Sequence, residues 1–281
     1  MIIIAYKPGQ LANRLFLFAK FFAYAHANHV RVINPSFDDY AHYFAKTKRQ
    51  FIPASKGLAG YSSRALIKLF YKICFFASRI VHRFNIKSKF ISVTYLDWSE
   101  HYDLDNDKRL CAEGVHFIQG WQFDASKLMR LHKSEIIRFF EPEPGLKHKI
   151  EIHFRQFKNS RRIIGVHIRQ GDYRFFEDGK YFYQASDYKS IMVELQRKYP
   201  DSIFLVCTNN RLISRNDFGP LNVIMAFGHE LVDLYLLAKC NYIIGPPSTY
   251  SLWASFYGDV PLYQIKQLGV TVDLADFKQM L

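Results

Sequence analysis

Short apolar runs that alternate with helix-like stretches recur along the 281-residue sequence. The first run covers residues 2–6 and is rich in isoleucine, and a Lys-Pro-Gly turn follows it. Residues 12–27 then place apolar side chains three and four positions apart, as a helix does, and residues 30–33 form a second apolar run. A strand, a loop, a helix and a second strand in this order predict the beginning of a parallel α/β sheet.

The same alternation returns after a Pro- and Gly-rich stretch at residues 141–145. Strand-like runs lie at 163–168, 203–207 and 242–244, and helix-like segments lie at 187–198, 230–239 and 248–256. Helix breakers between two such halves mark a domain boundary. We therefore predict two facing Rossmann-like domains, residues 1–145 and 146–281, with candidate ligand sites at the carboxyl ends of the strands.

Charge and composition restrict the partners and the compartment. Lys and Arg number 38 against 25 Asp and Glu, and the net charge of +13 favours anionic partners. No nucleic-acid-binding motif accompanies this charge, so we predict no nucleic-acid partner. The four cysteines stand singly among apolar residues, which predicts buried thiols in a reducing compartment. No apolar run reaches the roughly 18 residues of a membrane-spanning helix, and the predicted localisation is cytoplasmic.

A strongly basic segment with helical periodicity lies at residues 62–84. Arg64, Lys68 and Lys72 are four positions apart, and large apolar residues stand between them. One interpretation is a helix that lies on the anionic inner face of a membrane while its long cations snorkel to the headgroups. The other is a buried amphipathic helix with a solvated basic side. Both interpretations predict the same spacing, so the sequence leaves them open.

The most informative segment is G-V-H-I-R-Q-G-D-Y at residues 165–173. Residues two apart on a strand face the same side, so His167 and Arg169 would point into one crevice at the strand end. The forked guanidinium of Arg169 suits a diphosphate and the negative charge that develops on a departing nucleotide. The alternative is a plain strand-end salt bridge from Arg169 to Asp172.

Three further segments supply candidate binding residues, each with a structural alternative. Ser248 and Thr249 would lie at a helix N-terminus, where they contact phosphate or simply cap the helix. Asn13 and Arg14 would open the first helix and face a crevice, or lie on a solvated surface. Asp233, early in another helix, would accept hydrogen bonds from a base or ribose, or complement the helix dipole.

No metal site is predicted from the residues. His26 and His29 are close in sequence but have no carboxylate or cysteine at a matching spacing. The acidic residues at 38–39 and 103–107 lack the Gly and the distant Glu of a calcium loop. We interpret both acidic groups as solvated turns.

Four motifs in sequence order resemble those of the α-1,2-fucosyltransferases and, more distantly, of the α-1,6- and protein O-fucosyltransferases. They are G-Q-L-A-N-R-L-F at 9–16, G-W-Q at 120–122, H-I-R-Q-G-D-Y at 167–173, and a spaced C, I, S-T-Y-S and W between 240 and 253. Gln170 stands where the α-1,2 enzymes carry a second Arg, and Arg14 stands where they carry Gln.

The resemblance implies a GT-B-like fold, a GDP-fucose donor, inversion at the sugar carbon, no metal and no separate cofactor. The acceptor is implied to be an oligosaccharide or glycolipid, such as a lipopolysaccharide or capsule unit at the inner membrane face. Residues 1–145 would serve the acceptor and residues 146–281 the donor.

The resemblance also implies roles for individual residues. Arg169 would hold the donor diphosphate, His167 and Asp233 would meet the nucleoside, Ser248 and Thr249 would add phosphate contacts, and Asn13 and Arg14 would line the acceptor side. Asp172 and Glu177 are the nearby carboxylates for a general base, and the choice between them stays open.

Overall fold

The chain divides into two compact units, Met1–Glu143 and Pro144–Leu281, in a computed structural model. The structure describes residues 1–48, 64–86, 88–157 and 160–279. The sequence-based boundary fell two residues later, because Pro144 and Gly145 were interpreted as breakers. Pro144 instead begins a helix. Proline is tolerated at a first helical position because the N–H that it lacks would have no acceptor within the helix.

In the described part of the N-terminal unit, four parallel strands form one sheet and two more form a separate pair. The strands are β1 (Ile2–Ile4), β2 (Val32–Ile33), β3 (Ile91–Tyr95), β4 (Tyr102–Asp103), β5 (Val115–Gln119) and β6 (Phe123–Asp124). The helices are α1 (Leu11–Ala27), α2 (Ala45–Lys48), α3 (Arg64–Arg83), α4 (Ser126–Leu131) and α5 (Lys133–Phe139). The sheet order is β2-β1-β5-β3, and β4 pairs with β6. Of the basic segment predicted at 62–84, residues 62 and 63 lie outside the described residues.

Helix α1 is buried on more than the one face that was predicted. Leu15 and Phe18 are buried as expected, but Leu17 and Phe21 on other sides are buried too. The sheet covers one side of α1, while α4 and α5 cover another. Residues 124–140 have a helix-like sequence that predicts one helix, but His132 has non-helical backbone angles and separates α4 from α5.

The C-terminal unit contains a second parallel sheet. Its described strands are β7 (Arg162–Ile168), β8 (Ser202–Thr208), β9 (Val223–Met225), β10 (Tyr242–Gly245) and β11 (Leu262–Gln264). Its described helices are α6 (Pro144–Phe154), α7 (Ala185–Lys198), α8 (Glu230–Leu237) and α9 (Thr249–Gly258). The order is β11-β10-β7-β8-β9, and every pairing is parallel. The sequence analysis missed β9 and β11, which have three residues each.

Each sheet reverses its strand order beside its first strand. In the C-terminal sheet the chain runs from β7 to β8 and β9, then returns to β10 on the other side of β7. In the N-terminal sheet the equivalent point lies between β1 and β5. Ligands of open α/β sheets bind outside the carboxyl ends of the strands at such a switch point. A β-carbon on Gly245, the last residue of β10, would approach the His167 carbonyl to 2.9 Å, so only glycine allows this close approach.

Three of the four cysteines are buried, as predicted, and all four are free thiols. Cys111 is partly exposed, and its sulfur lies 3.1 Å from the Tyr24 hydroxyl. None of the helices in the described ranges is both long enough and apolar enough to cross a membrane.

Candidate functional site

The loop after β7 carries a fixed arginine at the switch point of the C-terminal sheet. The Nε and Nη2 atoms of Arg169 donate to Oδ1 and Oδ2 of Asp172 at 3.1 and 2.7 Å. The Arg169 guanidinium also lies 5.1 Å from the ring centroid of Tyr173. Its side chain is 15% exposed, whereas that of Asp172 is 51% exposed. The salt bridge of the alternative interpretation is therefore formed, and it orients the guanidinium where β7 ends.

Gln170 ties this loop to the segment after β8 and to the segment before α7. Its buried side chain donates from Nε2 to the Tyr183 carbonyl at 2.9 Å and accepts from Nδ2 of Asn210 at 2.6 Å. Its backbone N–H donates to Oδ1 of Asn209 at 2.9 Å. Sequence analysis noted Gln170 only as a departure from the family motif and did not single out the asparagines. The glutamine holds the loop from inside, where its amide satisfies one buried and one partly buried polar group.

His167 lies beneath an aromatic ring that sequence analysis did not assign a role. Its imidazole is 4.9 Å from the ring of Tyr250, and the Tyr250 hydroxyl donates to the Glu230 carbonyl at 2.7 Å. Burial, and then the charge of Arg169, lower the pKa of His167 to about 3, so the imidazole is neutral at physiological pH. Its Nδ1 has no hydrogen-bond partner within the part of the chain that the structure describes.

Ser248 caps helix α9 beside the β7 loop. Its hydroxyl accepts from the Tyr250 backbone N–H at 3.2 Å, so the capping role left open by the sequence is present. Thr249 is the first residue of α9 and is partly exposed. The Tyr173 hydroxyl donates to the Pro247 carbonyl at 2.6 Å. This bond links the loop that carries Arg169 to the N-terminal end of α9, which is suited to phosphate.

Asp233 organises a second loop of the C-terminal unit. It lies in the first turn of α8 and is 5% exposed, and both its oxygens accept from the Gly228 N–H, at 3.1 and 3.0 Å. Burial raises the pKa of Asp233 to about 6, although hydrogen bonds from the amides of residues 227–229 act in the opposite direction. The carboxylate thus holds the loop after β9, and its contact with a nucleoside stays a prediction.

Asn13 and Arg14 belong to the N-terminal unit and lie in the first turn of α1, after β1. Arg14 Nη1 donates to Oδ2 of Asp39 at 2.9 Å. Lys7 lies 2.5 Å from Asp38 and 3.3 Å from Asp39. Burial alone would raise the pKa of Asp39, but Arg14 and Lys7 outweigh it and lower that pKa to about 2. The solvated turn predicted at 38–39 is therefore wrong, because two cations compensate carboxylates that are partly or fully buried.

The acidic residues at 103–107 have structural roles. Asp103 is exposed, as predicted. The Asp105 carboxylate accepts from the backbone N–H groups of Lys127 and Leu128 in α4. The buried Asp107 pairs with Arg109 at 2.7 Å, so the solvated-turn prediction fails for Asp107. Among the described residues, no three His, Cys, Asp or Glu side chains gather as metal ligands would. Independence from metal stays a prediction.

The C-terminal unit thus brings most of the predicted site residues to one edge of its sheet. They are Arg169, Asp172 and His167 after or at the end of β7, Ser248 and Thr249 after β10, and Asp233 behind the loop after β9. In parallel α/β units, ligands bind at such a switch point, and phosphate groups favour helix N-termini.

The chain belongs to Glycosyl transferase family 11, which it matches over residues 46–260. Galactoside alpha-(1,2)-fucosyltransferase 2 of Gorilla gorilla gorilla is 27% identical over 109 residues, which cover 34% of this chain and 30% of that relative. The alignment therefore spans less than a third of the relative's length. The resemblance to fucosyltransferases expected from the motifs is confirmed, while the opening motif at 9–16 lies outside the family match.

Solved structures support the fold across nearly the whole chain. Fucosyltransferase NodZ from Bradyrhizobium is 14% identical, with a TM-score of 0.54, over 98% of this chain and 96% of NodZ. A mutant of Arabidopsis thaliana FUT1 in complex with GDP is 13% identical, with a TM-score of 0.59, over 99% of this chain and 73% of FUT1. The predicted α/β, GT-B-like fold class is confirmed.

Proposed function

We propose that this protein transfers fucose from GDP-fucose to a glycan hydroxyl, with inversion, without a metal ion and with α-1,2 linkage. The family and the fucosyltransferase names of its relatives support fucosyl transfer. NodZ has also been studied as an α-1,6-fucosyltransferase soaked with GDP-fucose, so the α-1,2 linkage rests on the motifs and on the curated relative. The observation that carries the proposal is Arg169, which Asp172 orients at the switch point.

In the proposed step, the acceptor hydroxyl oxygen bonds to the anomeric carbon of fucose. The bond from that carbon to the β-phosphate oxygen breaks, and its electron pair leaves with GDP. Arg169 stabilises the charge that develops on the diphosphate. The hydroxyl proton passes to a carboxylate or to water. Both oxygens of Asp172 accept hydrogen bonds from Arg169, so Asp172 suits a positioning role, and the exposed Glu177 remains a candidate base.

The remaining site residues would shape the pocket around the donor. A neutral His167 avoids repulsion with Arg169 and offers its Nδ1 to a nucleoside donor group. Asp233 would act through the loop that its carboxylate holds. Ser248 and Thr249 would present the N-terminal end of α9 to phosphate. In the N-terminal unit, Asn13 and Arg14 would contact the acceptor.

The test is calorimetric titration, without metal, of the purified protein with GDP, GDP-fucose, GDP-mannose and a UDP-sugar. Replacing Arg169 by Ala is expected to weaken GDP binding about 100-fold, because a charge-assisted hydrogen bond contributes about 2–3 kcal/mol. Arg169→Lys keeps the charge but loses the fork, so an intermediate affinity is expected. Arg197→Ala, at an exposed position on α7, is the matched control.

Several outcomes would contradict the proposal. Unchanged GDP affinity in Arg169→Ala would remove the arginine from the donor site. Binding of another nucleotide sugar in place of GDP-fucose would overturn the assignment of GDP-fucose as the donor. If the protein bound glycans, or bound nucleic acid in a salt-sensitive way, but transferred no sugar, the enzyme assignment would be overturned. Nuclear magnetic resonance of the product determines the linkage. A bond from fucose to any acceptor hydroxyl other than O2 would overturn α-1,2 transfer.

A further inference from the structure

Helix α3 packs on the N-terminal unit mainly through one face. Ile67, Cys74 and Ser78 are buried on this face, and the helix packs against β3, β5 and the turn at Pro35–Phe37. The Ser78 hydroxyl accepts from Nε2 of Gln119 at 2.7 Å. Two of these three buried side chains are small. Most of the helix circumference therefore points away from the unit.

A second face of α3 is apolar and exposed. Ile73, Phe76 and Ile80 have exposed fractions of 58%, 60% and 52%, and they recur every three or four residues on one side. Leu66, Leu69 and Phe84 extend the same face and are exposed by more than half. A contiguous exposed apolar surface of this kind marks an interaction site. The interpretation of α3 as a buried amphipathic helix is wrong for this face.

A third face, beside the apolar one, is basic. It consists of the exposed residues Arg64, Lys68, Lys72, Arg79 and Arg83. Between Asp39 and Asp97 the sequence contains 11 Lys and Arg and no Asp or Glu. The rest of the chain is nearly balanced, with 27 Lys and Arg against 25 Asp and Glu. The net positive charge of the sequence is therefore concentrated in the segment that contains α3.

We propose that α3 docks the N-terminal unit on an anionic lipid membrane. The apolar face would enter the boundary between headgroups and acyl chains, and the basic face would meet lipid phosphates. A nucleic acid would engage the cations but leave the apolar side chains in water. A second copy of this chain would cover the apolar face but bring two sets of cations together. An anionic bilayer satisfies both faces at once.

The basic face of α3 adjoins the residues predicted to contact the acceptor. Arg64 and Lys68 lie 3.5 and 3.8 Å from Asp39, which also binds Arg14. Lys7 lies over the ring of Tyr71 on α3 at 4.4 Å. A docked helix would therefore place the start of α1 close to the membrane surface, where a glycolipid acceptor presents its sugar. This last step rests on the proposed function, whereas docking itself does not.

The experiment is co-sedimentation of the full chain with vesicles of phosphatidylcholine, with and without phosphatidylglycerol. Binding is expected only to the anionic vesicles. Ile73→Glu/Phe76→Glu should weaken it by about 100-fold or more, because each large apolar side chain accounts for at least about tenfold. Lys72→Gln/Arg79→Gln should weaken it about 25-fold, since each cation near an anionic surface contributes about fivefold.

The matched control is Leu131→Glu/Leu212→Glu, which adds the same charges at apolar positions that are 73% and 88% exposed elsewhere. All variants should bind GDP as the wild type does, which separates failed docking from a failed donor assignment. Absence of vesicle binding, equal binding to neutral vesicles, or wild-type binding by the α3 variants would overturn the proposal. The wild type could instead form dimers or bind DNA without binding vesicles. If Ile73→Glu/Phe76→Glu abolished that dimerisation or DNA binding, the membrane proposal would be overturned in favour of a second copy of the chain or of DNA.

Discussion

Replacing Asp233 by Asn tests the energetics of the most deeply buried acid proposed to shape the donor site. The Asp233 side chain holds the Gly228 N–H while burial raises its pKa to about 6, from an ordinary value of 3.8. An Asn at this position keeps one oxygen to accept the Gly228 N–H but does not ionise between pH 4 and 8. The substitution therefore removes the cost of burying a charge and keeps one of the two oxygens that accept hydrogen bonds from the loop.

The sign of the effect follows from the raised pKa. A carboxyl whose folded pKa lies above its unfolded value favours the folded state in its protonated form. Its stabilising contribution is complete below about pH 4 and is lost as pH rises through about 6. A rise of the Asp233 pKa from 3.8 to about 6 corresponds to about 3 kcal/mol. The wild type should therefore lose about 2–3 kcal/mol relative to Asp233→Asn between pH 4 and 8.

The assay is urea unfolding of both proteins at intervals across this pH range, followed by circular dichroism. The quantity of interest is the difference between their unfolding free energies, because other titrating groups affect both proteins alike. A difference that stays constant with pH would refute the argument that burial controls this carboxylate. A difference that changes in the opposite direction would show that the amides of residues 227–229 outweigh burial.

Three further substitutions test the packing of the C-terminal unit. Tyr250→Ala should expose the imidazole of His167 and raise its pKa from about 3 towards the ordinary 6.5, as histidine resonances titrated by nuclear magnetic resonance would report. Gln170→Leu should cost about 1–3 kcal/mol in unfolding free energy, because it leaves the buried Tyr183 carbonyl and the partly buried Asn210 amide without their hydrogen-bond partner. Gly258→Ala should destabilise the protein by at least about 2 kcal/mol in thermal unfolding, because the new methyl group would overlap the Ala238 carbonyl.

The order of the long elements could be predicted from hydrophobic periodicity. The apolar run predicted as a strand at 163–168 corresponds to β7. The segment predicted as a helix at 187–198 corresponds to α7, which begins two residues earlier because Gln184 and Asp187 form its capping box. The three-residue strands β9 and β11 are too short to show a period, and only pairing in the sheet identifies them. The start of α6 at Pro144 was missed because proline has opposite meanings at a helix start and in a helix interior.

The site was predictable where side chains follow a strand end, and not where they pack across loops. Arg169 and Asp172 were singled out because they follow a buried strand, and their pairing was one of the two interpretations offered. The roles of Tyr250 and Asn210 depend on contacts with residues about 40 to 80 positions away in the sequence. Asp38 was misassigned because its compensating cation, Lys7, lies on a different strand end.

Two separate uses of positive charge lead to a last prediction about salt. Arg169 is 15% exposed and is oriented by two hydrogen bonds, whereas Lys72 and Arg79 on α3 are exposed. Salt screens exposed charges within about 10 Å at 0.1 M and about 3 Å at 1 M, and screens buried charges much less. Raising the salt from about 0.1 to 1 M should therefore release the protein from anionic vesicles and leave GDP affinity within about threefold. A parallel collapse of both affinities would mean that the donor is held by diffuse charge and not by the oriented guanidinium of Arg169.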